Sequence, residues 1–357
     1  MNPDILSRPS LFNMKPYRLF SVIALAAGLF GSVSGAAPAT LTLNDLQNHP
    51  ERWPAKVSLP RDFKFNGGAS ARKGQIVQVI ELKGTEVVVD AGKDLVFGVP
   101  VADTDFLTAA NSSWSALTPA QRDLDANLLM ADPSLWPLQV KSLNGFRLEN
   151  GTQLPAGSDF DLISFNQEGV SLYSAKYNSN LGAELKDTDL ITRARALLLV
   201  PANQRPSRIA AALRGNLVDI NGQASSAKLD ETQVFALYYG ASWCPPCRKF
   251  SPGFVKYIDQ ISAQNPKLTV VLMSNDKVDA DMFKYMKSEK MPWVAMPLAK
   301  LQRTPLLLGY TKGYIPQLLI VDRSGKILAD SYSGKNYVGP DVALKGLTKL
   351  VDAGAAR

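Results

Sequence analysis

The chain has 357 residues, 46% of them hydrophobic and 20% charged, which is enough to build two or three domains with apolar cores. Its formal net charge of +7 comes from 39 basic and 32 acidic residues, spread along the chain without a run of Lys and Arg. This even distribution excludes the sequence signature of a nucleic-acid-binding tract, so we expect no nucleic acid among the partners.

The first residues have the pattern of a secretory signal. A basic stretch at 15–18 precedes an apolar run from Leu19 to Val33, about 15 residues, which is shorter than the ~20 that a membrane-spanning helix needs. Small residues follow, with Ala36 as the favoured cleavage position and Ala39 as the alternative. We therefore expect residues 1–36 to be a cleaved signal peptide and the mature chain to be exported to the periplasm. An uncleaved membrane anchor is the alternative.

Residues 40–110 have the pattern of a small β module. Segments rich in β-branched residues predict strands at Gln75–Leu82 and Thr85–Ala91. The dipeptide Lys83-Gly84 between them predicts a tight turn, so the two strands are expected to form a hairpin.

A helical connector is predicted over residues 111–140. Thr118 is a typical N-cap residue, and Pro119 suits the first helical position because the missing N–H is not needed there. The helix is expected to end near Asp132-Pro133, since proline cannot continue it.

Residues 141–200 repeat the pattern of the first module. Phe63-Lys64-Phe65 is echoed by Phe146-Arg147-Leu148, and residues 102–108 are echoed by residues 186–192. The spacing stays at about 83 to 85 residues, which predicts two copies of one module. Both copies resemble bacterial SH3-like barrels in strand pattern and size, and we predict two small all-β modules of that type. Coincidence among short β-rich segments is the alternative.

The proline-rich segment Pro201–Pro206 predicts a linker between the repeat and a C-terminal domain at residues 207–357. Ser207–Leu213 has the pattern of a short helix, and Leu217–Ile220 that of a strand. Both would open the C-terminal domain.

The strongest chemical signal follows an apolar strand predicted at Val234–Tyr239. The strand leads into Trp243-Cys244-Pro245-Pro246-Cys247, after which a helix is predicted. A cysteine at a helix N-terminus faces unpaired N–H groups and the positive end of the helix dipole, which stabilise a thiolate. Arg248 adds positive charge. Cys247, one turn into the helix, is placed to attack a mixed disulfide on Cys244. The motif therefore predicts thiol–disulfide exchange with no cofactor besides this redox-active pair.

Other roles for the two cysteines fit the sequence poorly. A structural zinc site needs four ligands, and the chain has two cysteines and one histidine, His49. Haem attachment needs a histidine directly after the second cysteine, where Arg248 stands. A structural disulfide across so short a loop adds little stability. We expect no metal, and His49 is interpreted as a turn residue.

Residues 234–329 resemble the tryparedoxin and nucleoredoxin branch of the thioredoxin superfamily. The matching blocks are Ser242–Arg248, Phe250–Pro252, Lys290–Pro297 and Tyr314–Ile320. The resemblance implies an α/β thioredoxin fold, which has a central mixed sheet flanked by helices.

The resemblance also implies roles for particular residues. Cys244 would be the attacking thiol and Cys247 the resolving thiol, while Pro316 would be the cis-proline that faces them. The backbone of Ile315 would pair with an extended substrate chain. Pro252 falls where the family's catalytic helix is usually kinked.

Three aromatic residues complete the expected site. Trp243 and Trp293 are expected to flank the motif as substrate-binding apolar cover, with a plain core role as the alternative for Trp293. Tyr238 stands where thioredoxin keeps a buried aspartate that accepts the proton of the resolving thiol. This departure leaves the proton acceptor unidentified.

The dipeptide Pro245-Pro246 bears on the direction of the reaction. Strong oxidants of this fold have an unusually stabilised thiolate, and proline offers no N–H for that purpose. We therefore predict a reductase that acts on disulfide-containing proteins and is recharged by a membrane electron donor. The alternative is an envelope-binding protein in which the duplicated modules bind a polymer or protein and the redox domain is secondary. An oxidase or isomerase direction is a further alternative.

Overall fold

The structure of the protein is a computed structural model that describes residues 40–47, 49–65, 69–92, 95–148, 151–225 and 227–357. The predicted signal peptide at residues 1–36 lies outside the described residues. Within the part that is described, no helix is both long and apolar enough to cross a membrane.

The first module contains a four-stranded antiparallel sheet in the order β1-β4-β5-β6 and a separate hairpin of β2 and β3. Its elements are α1 (Leu43–Gln47), β1 (Lys56–Ser58), β2 (Phe63–Lys64), β3 (Ser70–Ala71), β4 (Ile76–Lys83), β5 (Glu86–Asp90), β6 (Val96–Pro100) and α2 (Phe106–Ser115). Alternate residues of β4 and β5, such as Val77 and Val87, are buried, because one face of the sheet covers the core. The hairpin predicted at Lys83-Gly84 is confirmed.

The second module has the same topology, with a sheet in the order β7-β10-β11-β12 and a separate hairpin of β8 and β9. Its elements are α3 (Pro119–Asp123), α4 (Ala126–Ala131), β7 (Gln139–Lys141), β8 (Phe146–Arg147), β9 (Gln153–Leu154), β10 (Asp159–Asn166), β11 (Gly169–Ser174), β12 (Ser179–Ala183) and α5 (Leu190–Leu198). Phe160 and Leu172 lie in its core.

The two modules agree in detail. The strands β4 and β10 carry a register shift at equivalent places, after Val79 and after Leu162. The indole Nε1 of Trp53 donates to the carbonyl of Leu46 (2.6 Å), and that of Trp136 donates to Leu129 (2.7 Å). Both features recur after 83 residues, the spacing of the sequence echoes, which supports an internal repeat.

The structure corrects two expectations about the modules. Each module carries helices, so the prediction that they are all-β is wrong, and their relation to SH3-like barrels remains a prediction. The helix α2 also runs across the boundary placed at residue 110.

The predicted connector helix is broken in two. Thr118 caps α3 through a capping box with Gln121, as expected. The helix then ends at Asp123, because the side chain of Asp125 accepts a hydrogen bond from the backbone N–H of Leu128 (2.8 Å) and caps α4.

The C-terminal domain has a mixed seven-stranded sheet in the order β14-β13-β17-β16-β15-β18-β19, as the resemblance implied. Its elements are α6 (Arg208–Leu213), β13 (Leu217–Val218), β14 (Ala224–Ser225), β15 (Val234–Gly240), α7 (Pro245–Ile261), β16 (Leu268–Ser274), α8 (Asp279–Ser288), β17 (Val294–Met296), α9 (Leu298–Leu301), α10 (Pro305–Leu308), β18 (Gln317–Asp322), β19 (Ile327–Asp330), β20 (Tyr332–Ser333), β21 (Asn336–Tyr337) and α11 (Pro340–Asp352). The short strands β20 and β21 form a separate hairpin.

The central strand β15 is buried along its whole length because both faces of the sheet are covered. Tyr238 points into a core shared with Phe254 of α7. Phe235 and Leu237 point the other way, into a core shared with Ile209 of α6. This arrangement fixes the end of β15, and the motif that follows, in a rigid frame.

The second module contacts the C-terminal domain through Arg208, which is only 4% exposed. Its guanidinium donates to the carbonyls of Leu162 (2.7 Å) and Ile163 (2.8 Å) and lies 4.9 Å from the ring centre of Trp136. Burial lowers the pKa of Arg208 to about 10, so the group stays protonated at neutral pH.

These contacts lie far from the cysteine motif. Ser207 and Arg208 also bond to the carbonyls of Arg323 and Ser324, which follow β18. Because β18 runs antiparallel to β15, with Asp322 opposite Val234, this turn is at the end of the sheet opposite to the motif. The contacts of Arg208 therefore lie at the end of the domain away from the motif.

Candidate disulfide site

A buried carboxylate holds the loop that leads into the motif. Asp276 is 2% exposed and accepts hydrogen bonds from the backbone N–H (2.9 Å) and the hydroxyl (2.7 Å) of Ser242. The hydroxyl of Ser274 donates to its other oxygen (3.1 Å). The residue before Trp243 is thus fixed to the end of β16. Asp276 is distant from the motif in sequence, and no local pattern points to it.

Cys244 is the N-cap of α7. The backbone N–H of Cys247 donates to Sγ of Cys244 across 3.2 Å, and the N–H of Arg248 donates to the carbonyl of Cys244 (3.1 Å). Pro245 and Pro246 fill the positions between and have no N–H. Cys247 therefore provides the first amide of the helix that can reach the sulfur of Cys244.

The two cysteines are joined as a disulfide. Both residues are buried in this oxidised form, Cys244 at 3% and Cys247 at 0% exposed. Sγ of Cys244 lies 3.7 Å from the carbonyl oxygen of Ile315. A disulfide sulfur carries no hydrogen, so this is a contact in the oxidised form. It places the backbone of Ile315 directly beside the sulfur at which exchange would begin.

The Ile315–Pro316 peptide bond is cis, as the resemblance implied. Ile315 is half-buried, while Pro316 is buried and immediately precedes strand β18. The structure thus brings together Cys244, Cys247 and the Ile315–Pro316 bond, although about 70 residues separate them in sequence.

The two tryptophans differ in their surroundings. Trp243 is 56% exposed, and its Nε1 donates to the carbonyl of Asn275 (3.4 Å), which leaves the ring beside the motif. Trp293 is buried, with its ring centre 5.1 Å from that of Phe254. The structure therefore gives Trp293 the core role and not the substrate-facing one.

Three buried hydroxyl groups meet below the second cysteine. The hydroxyl of Ser251 donates to the carbonyl of Cys247 (2.9 Å) and lies 2.5 Å from the hydroxyl of Tyr285. The hydroxyl of Tyr238 lies 3.1 Å from both of these oxygens and also bonds to the carbonyl of Cys247 (3.3 Å). This hydroxyl cluster of Tyr238, Ser251 and Tyr285 fixes the first turn of α7 against the sheet.

Burial governs the protonation of the hydroxyl cluster. It raises the pKa of Tyr238 far above its ordinary value, and the neighbouring Tyr285 adds to the effect. Burial likewise raises the pKa of Tyr285. Both phenols stay neutral at physiological pH, so Tyr238 is not the base that replaces the aspartate of thioredoxin. No pattern in the sequence indicates this role for Ser251 or Tyr285. Only the packing of α8 on α7 reveals Tyr285.

The remaining expected residues lie as follows. Arg248 is exposed on the first turn of α7, where its charge faces solvent. His49 is in the first module, with its Nδ1 2.9 Å from the carboxylate of Glu51. No cluster of three or more potential metal ligands occurs among the described residues.

A buried central strand, a CxxC motif at a helix N-terminus and a cis-proline loop beside the first sulfur define a thioredoxin-like disulfide site. A family model described as "Thioredoxin-like" matches residues 232–327. The chain belongs to this thioredoxin-like family of oxidoreductases, together with tryparedoxin and nucleoredoxin.

Individual relatives agree with this assignment. Tryparedoxin of Trypanosoma brucei brucei is 34% identical over 131 residues, which are 36% of this chain and 88% of that protein. Nucleoredoxin of Xenopus laevis is 32% identical over 124 residues, or 34% of this chain and 30% of that protein. A probable nucleoredoxin 3 of Oryza sativa is 28% identical over 200 residues, 55% of this chain and 37% of that protein. The chain thus spans about a third of the length of these two nucleoredoxins.

Among solved structures, tryparedoxin from Trypanosoma brucei aligns with 41% of this chain and 92% of its own, at 28% identity and a TM-score of 0.29.

Proposed function

We propose that the chain is an exported thiol–disulfide reductase that reduces disulfides in proteins. The observation that carries the proposal is the position of Cys244 Sγ, at the N-terminus of α7 and in contact with the backbone of Ile315. The sulfur that would attack and the backbone that would hold an extended substrate are adjacent.

The reaction proceeds in two exchanges. The thiolate of Cys244 attacks one sulfur of the substrate disulfide, forming a mixed disulfide and releasing the other sulfur as a thiolate. The thiolate of Cys247 then attacks Sγ of Cys244, which forms the intramolecular disulfide and releases the second substrate thiolate. Both released thiolates take up protons, which balance the two protons that the thiols of Cys244 and Cys247 give up to solvent when they form thiolates. Two electrons pass from the cysteine pair to the substrate, and a dithiol donor must return them.

The reducing direction is supported by the first turn of α7. The N–H of Cys247 donates to Sγ of Cys244, and Pro245 and Pro246 add no donor. A thiolate with few donors gains little stability, which favours the oxidised form of the pair and makes the reduced pair a good electron source. We further propose that the electrons come from a membrane donor outside the cytoplasm, because the predicted signal peptide would carry the chain there.

The duplicated modules would serve as a binding or positioning unit, with an envelope polymer or protein as the partner. The position of Arg208 supports this division of labour, since its contacts with Leu162 and Ile163 lie at the end of the sheet opposite to Cys244. We propose that the modules are SH3-like and leave the disulfide site open to substrate.

A turbidity assay of insulin reduction, with dithiothreitol as the electron source, tests the proposed activity. The purified chain is expected to accelerate precipitation of the insulin B chain, and a Cys244→Ser variant should not. If the folded wild-type chain does not accelerate precipitation, the proposal is contradicted.

A further inference from the structure

Three tyrosines surround the cis-proline loop. They are Tyr314 in the loop itself, Tyr332 on β20 and Tyr337 on β21, and we call them the tyrosine cluster. The ring centres of Tyr314 and Tyr337 are 5.7 Å apart, and those of Tyr337 and Tyr332 are 5.2 Å apart. These separations are typical of aromatic pairs that stabilise each other.

Two hydroxyls of the cluster bond to the backbone on either side of Ile315. The N–H of Tyr314 donates to the hydroxyl of Tyr332 (2.8 Å), and the hydroxyl of Tyr337 donates to the carbonyl of Pro316 (2.7 Å). Ile315 thus lies between two backbone groups that are already hydrogen-bonded, the N–H of Tyr314 and the carbonyl of Pro316. Its own N–H and C=O can pair with a substrate. An extended substrate chain would find one residue to pair with, so its register on the loop would be fixed.

The exposed tyrosine rings lie next to the path of a bound substrate chain. They are beside the substrate residues that flank the one paired with Ile315. Tyr314 is 68% exposed and Tyr337 is 38% exposed, and Val338 beside it is 43% exposed. In an antiparallel pair, the residue next to the one opposite Ile315 lies opposite Tyr314 on the same face. Its side chain would therefore contact the ring of Tyr314.

The surroundings favour an apolar ligand over an anionic one. Lys312 pairs with Asp330 (2.7 Å), and its ammonium lies 5.2 Å from the ring centre of Tyr332. The positive charge of Lys312 is thus largely neutralised by Asp330. The exposed part of the tyrosine cluster thus offers aromatic surface to a substrate.

We propose that the tyrosine cluster selects substrates that carry an aromatic or large apolar side chain next to the disulfide-bonded cysteine. The inference rests on the proposed reductase function and names the substrate class of that site. Tyr314 would be a specificity-determining residue, and the cluster would favour protein and peptide disulfides over small ones.

The test compares short peptides dimerised through a single cysteine, with either Phe or Ser on both sides of that cysteine. Dithiothreitol supplies the two electrons of each turnover, and kcat/KM is measured for each peptide. Each value is divided by the second-order rate constant of the prereduced chain with 5,5′-dithiobis(2-nitrobenzoate), which reports the redox centre alone. The wild-type chain should prefer the Phe peptide about three- to tenfold, the range of an aromatic contact. In Tyr314→Ala the preference for the Phe peptide over the Ser peptide should fall close to one, mainly because KM for the Phe peptide rises. Tyr314→Phe should keep the preference. Leu199→Ala, which removes a 65% exposed apolar side chain from the second module, should change nothing.

The outcomes separate the two proposals. A wild-type chain that reduces both peptides equally, or a Tyr314→Ala variant that keeps the preference, would overturn the role of the tyrosine cluster and leave the reductase function standing. A folded wild-type chain that reduces neither peptide nor the small disulfide would overturn both.

Discussion

The backbone amide of Cys247 points at the sulfur of Cys244, 3.2 Å away, and it is the first amide of α7 placed to do so. In most helices the N-cap side chain accepts hydrogen bonds from the second or third helical residue. Here Pro246 is the second residue and has no N–H, so Cys247, the third, supplies the bond. The thiolate that forms on reduction would keep this one donor.

Restoring the missing donor should make the pair more oxidising. In Pro246→Ala a second amide can reach Sγ of Cys244 and stabilise its thiolate by roughly 1.5 kcal/mol, the lower end of the range for a hydrogen bond to a charged group. For a two-electron couple this raises the reduction potential by about 30 mV. Equilibration with dithiothreitol buffers, read by thiol alkylation, measures the change.

Pro245→Ala is the matched control. It also adds an N–H, but at the first helical position, from which the amide does not reach the N-cap side chain. Its potential should therefore stay close to that of the wild-type chain. Equal shifts in both variants would show that helix flexibility, and not the added donor, sets the potential.

The two cysteines should behave differently when each is replaced alone. Cys247→Ser should accumulate mixed disulfides through Cys244, because the resolving thiolate is missing. Cys244→Ser should lose insulin reduction altogether. Intact-mass analysis after incubation with a disulfide peptide identifies the adducts. Adducts held mainly by Cys247 in the Cys244→Ser variant would reverse the assigned roles.

Tyr238→Phe should lower stability without changing the pH profile of insulin reduction. The phenol bonds to Ser251, Tyr285 and the carbonyl of Cys247, and its loss should cost about 1–2 kcal/mol of unfolding free energy. Its pKa is raised on folding, so the stability it contributes is complete below about pH 10 and declines above it, where the unfolded chain ionises first. Chemical denaturation at pH 7 measures the loss of unfolding free energy, and the same measurement at pH 11 shows how far this contribution has declined.

The control for this prediction is Tyr239→Phe. Tyr239 is equally buried on the opposite face of β15, and its hydroxyl donates to the carbonyl of Leu307 (2.8 Å) without touching α7. Both variants should keep the wild-type pH profile. A shifted profile in Tyr238→Phe alone would mean that this phenol takes part in proton transfer.

The contacts of Arg208 should stabilise the full chain more than the C-terminal domain alone, because two of its hydrogen bonds reach the second module. In the full chain, Arg208→Met leaves the carbonyls of Leu162 and Ile163 without their donors, which should cost about 2–3 kcal/mol. In a fragment of residues 207–357 the guanidinium keeps only its bond to the carbonyl of Ser324 (3.4 Å), and the same substitution should cost less, about 1 kcal/mol or below. Thermal and urea unfolding of the four proteins give the comparison.

The same fragment tests the separation of binding from chemistry. Because the contacts of Arg208 lie at the end of the sheet opposite to Cys244, the fragment should reduce a small disulfide within a few-fold of the full chain. Arg214→Met, on the exposed end of the same segment and paired with Asp230 at the surface, should have little effect in either protein. A folded but inactive fragment would show that the modules complete the active site.

Much of this architecture follows from local signals in the sequence. The uncharged run at Val234–Tyr239 predicted a buried strand, and the prolines after Cys244 predicted a helix start, because both depend on neighbouring residues alone. The Lys83-Gly84 hairpin was predictable for the same reason. The repeat was visible because corresponding strands keep their spacing.

Other features depend on contacts between distant segments. Asp125 ends one helix and begins another by capping it, a competition that the apolar pattern does not reveal. The pairings of Tyr285 with Ser251 and of Tyr337 with Pro316 arise from packing between separate elements. The sequence leaves Trp293 with two alternatives, a substrate-facing role and a core role. The contact with Phe254 shows that the core role is correct.

The reduction potential of the Cys244–Cys247 pair decides whether this protein donates electrons to disulfides or withdraws them from thiols. A reductase with one amide donor to its thiolate should have a potential near that of thioredoxin, about −270 mV. The value can be obtained by equilibrating the purified full chain with defined ratios of reduced and oxidised dithiothreitol and counting alkylated thiols by mass. A potential close to that of strong oxidants, roughly −120 mV, would contradict the account, because the pair would then draw electrons from substrates instead of supplying them.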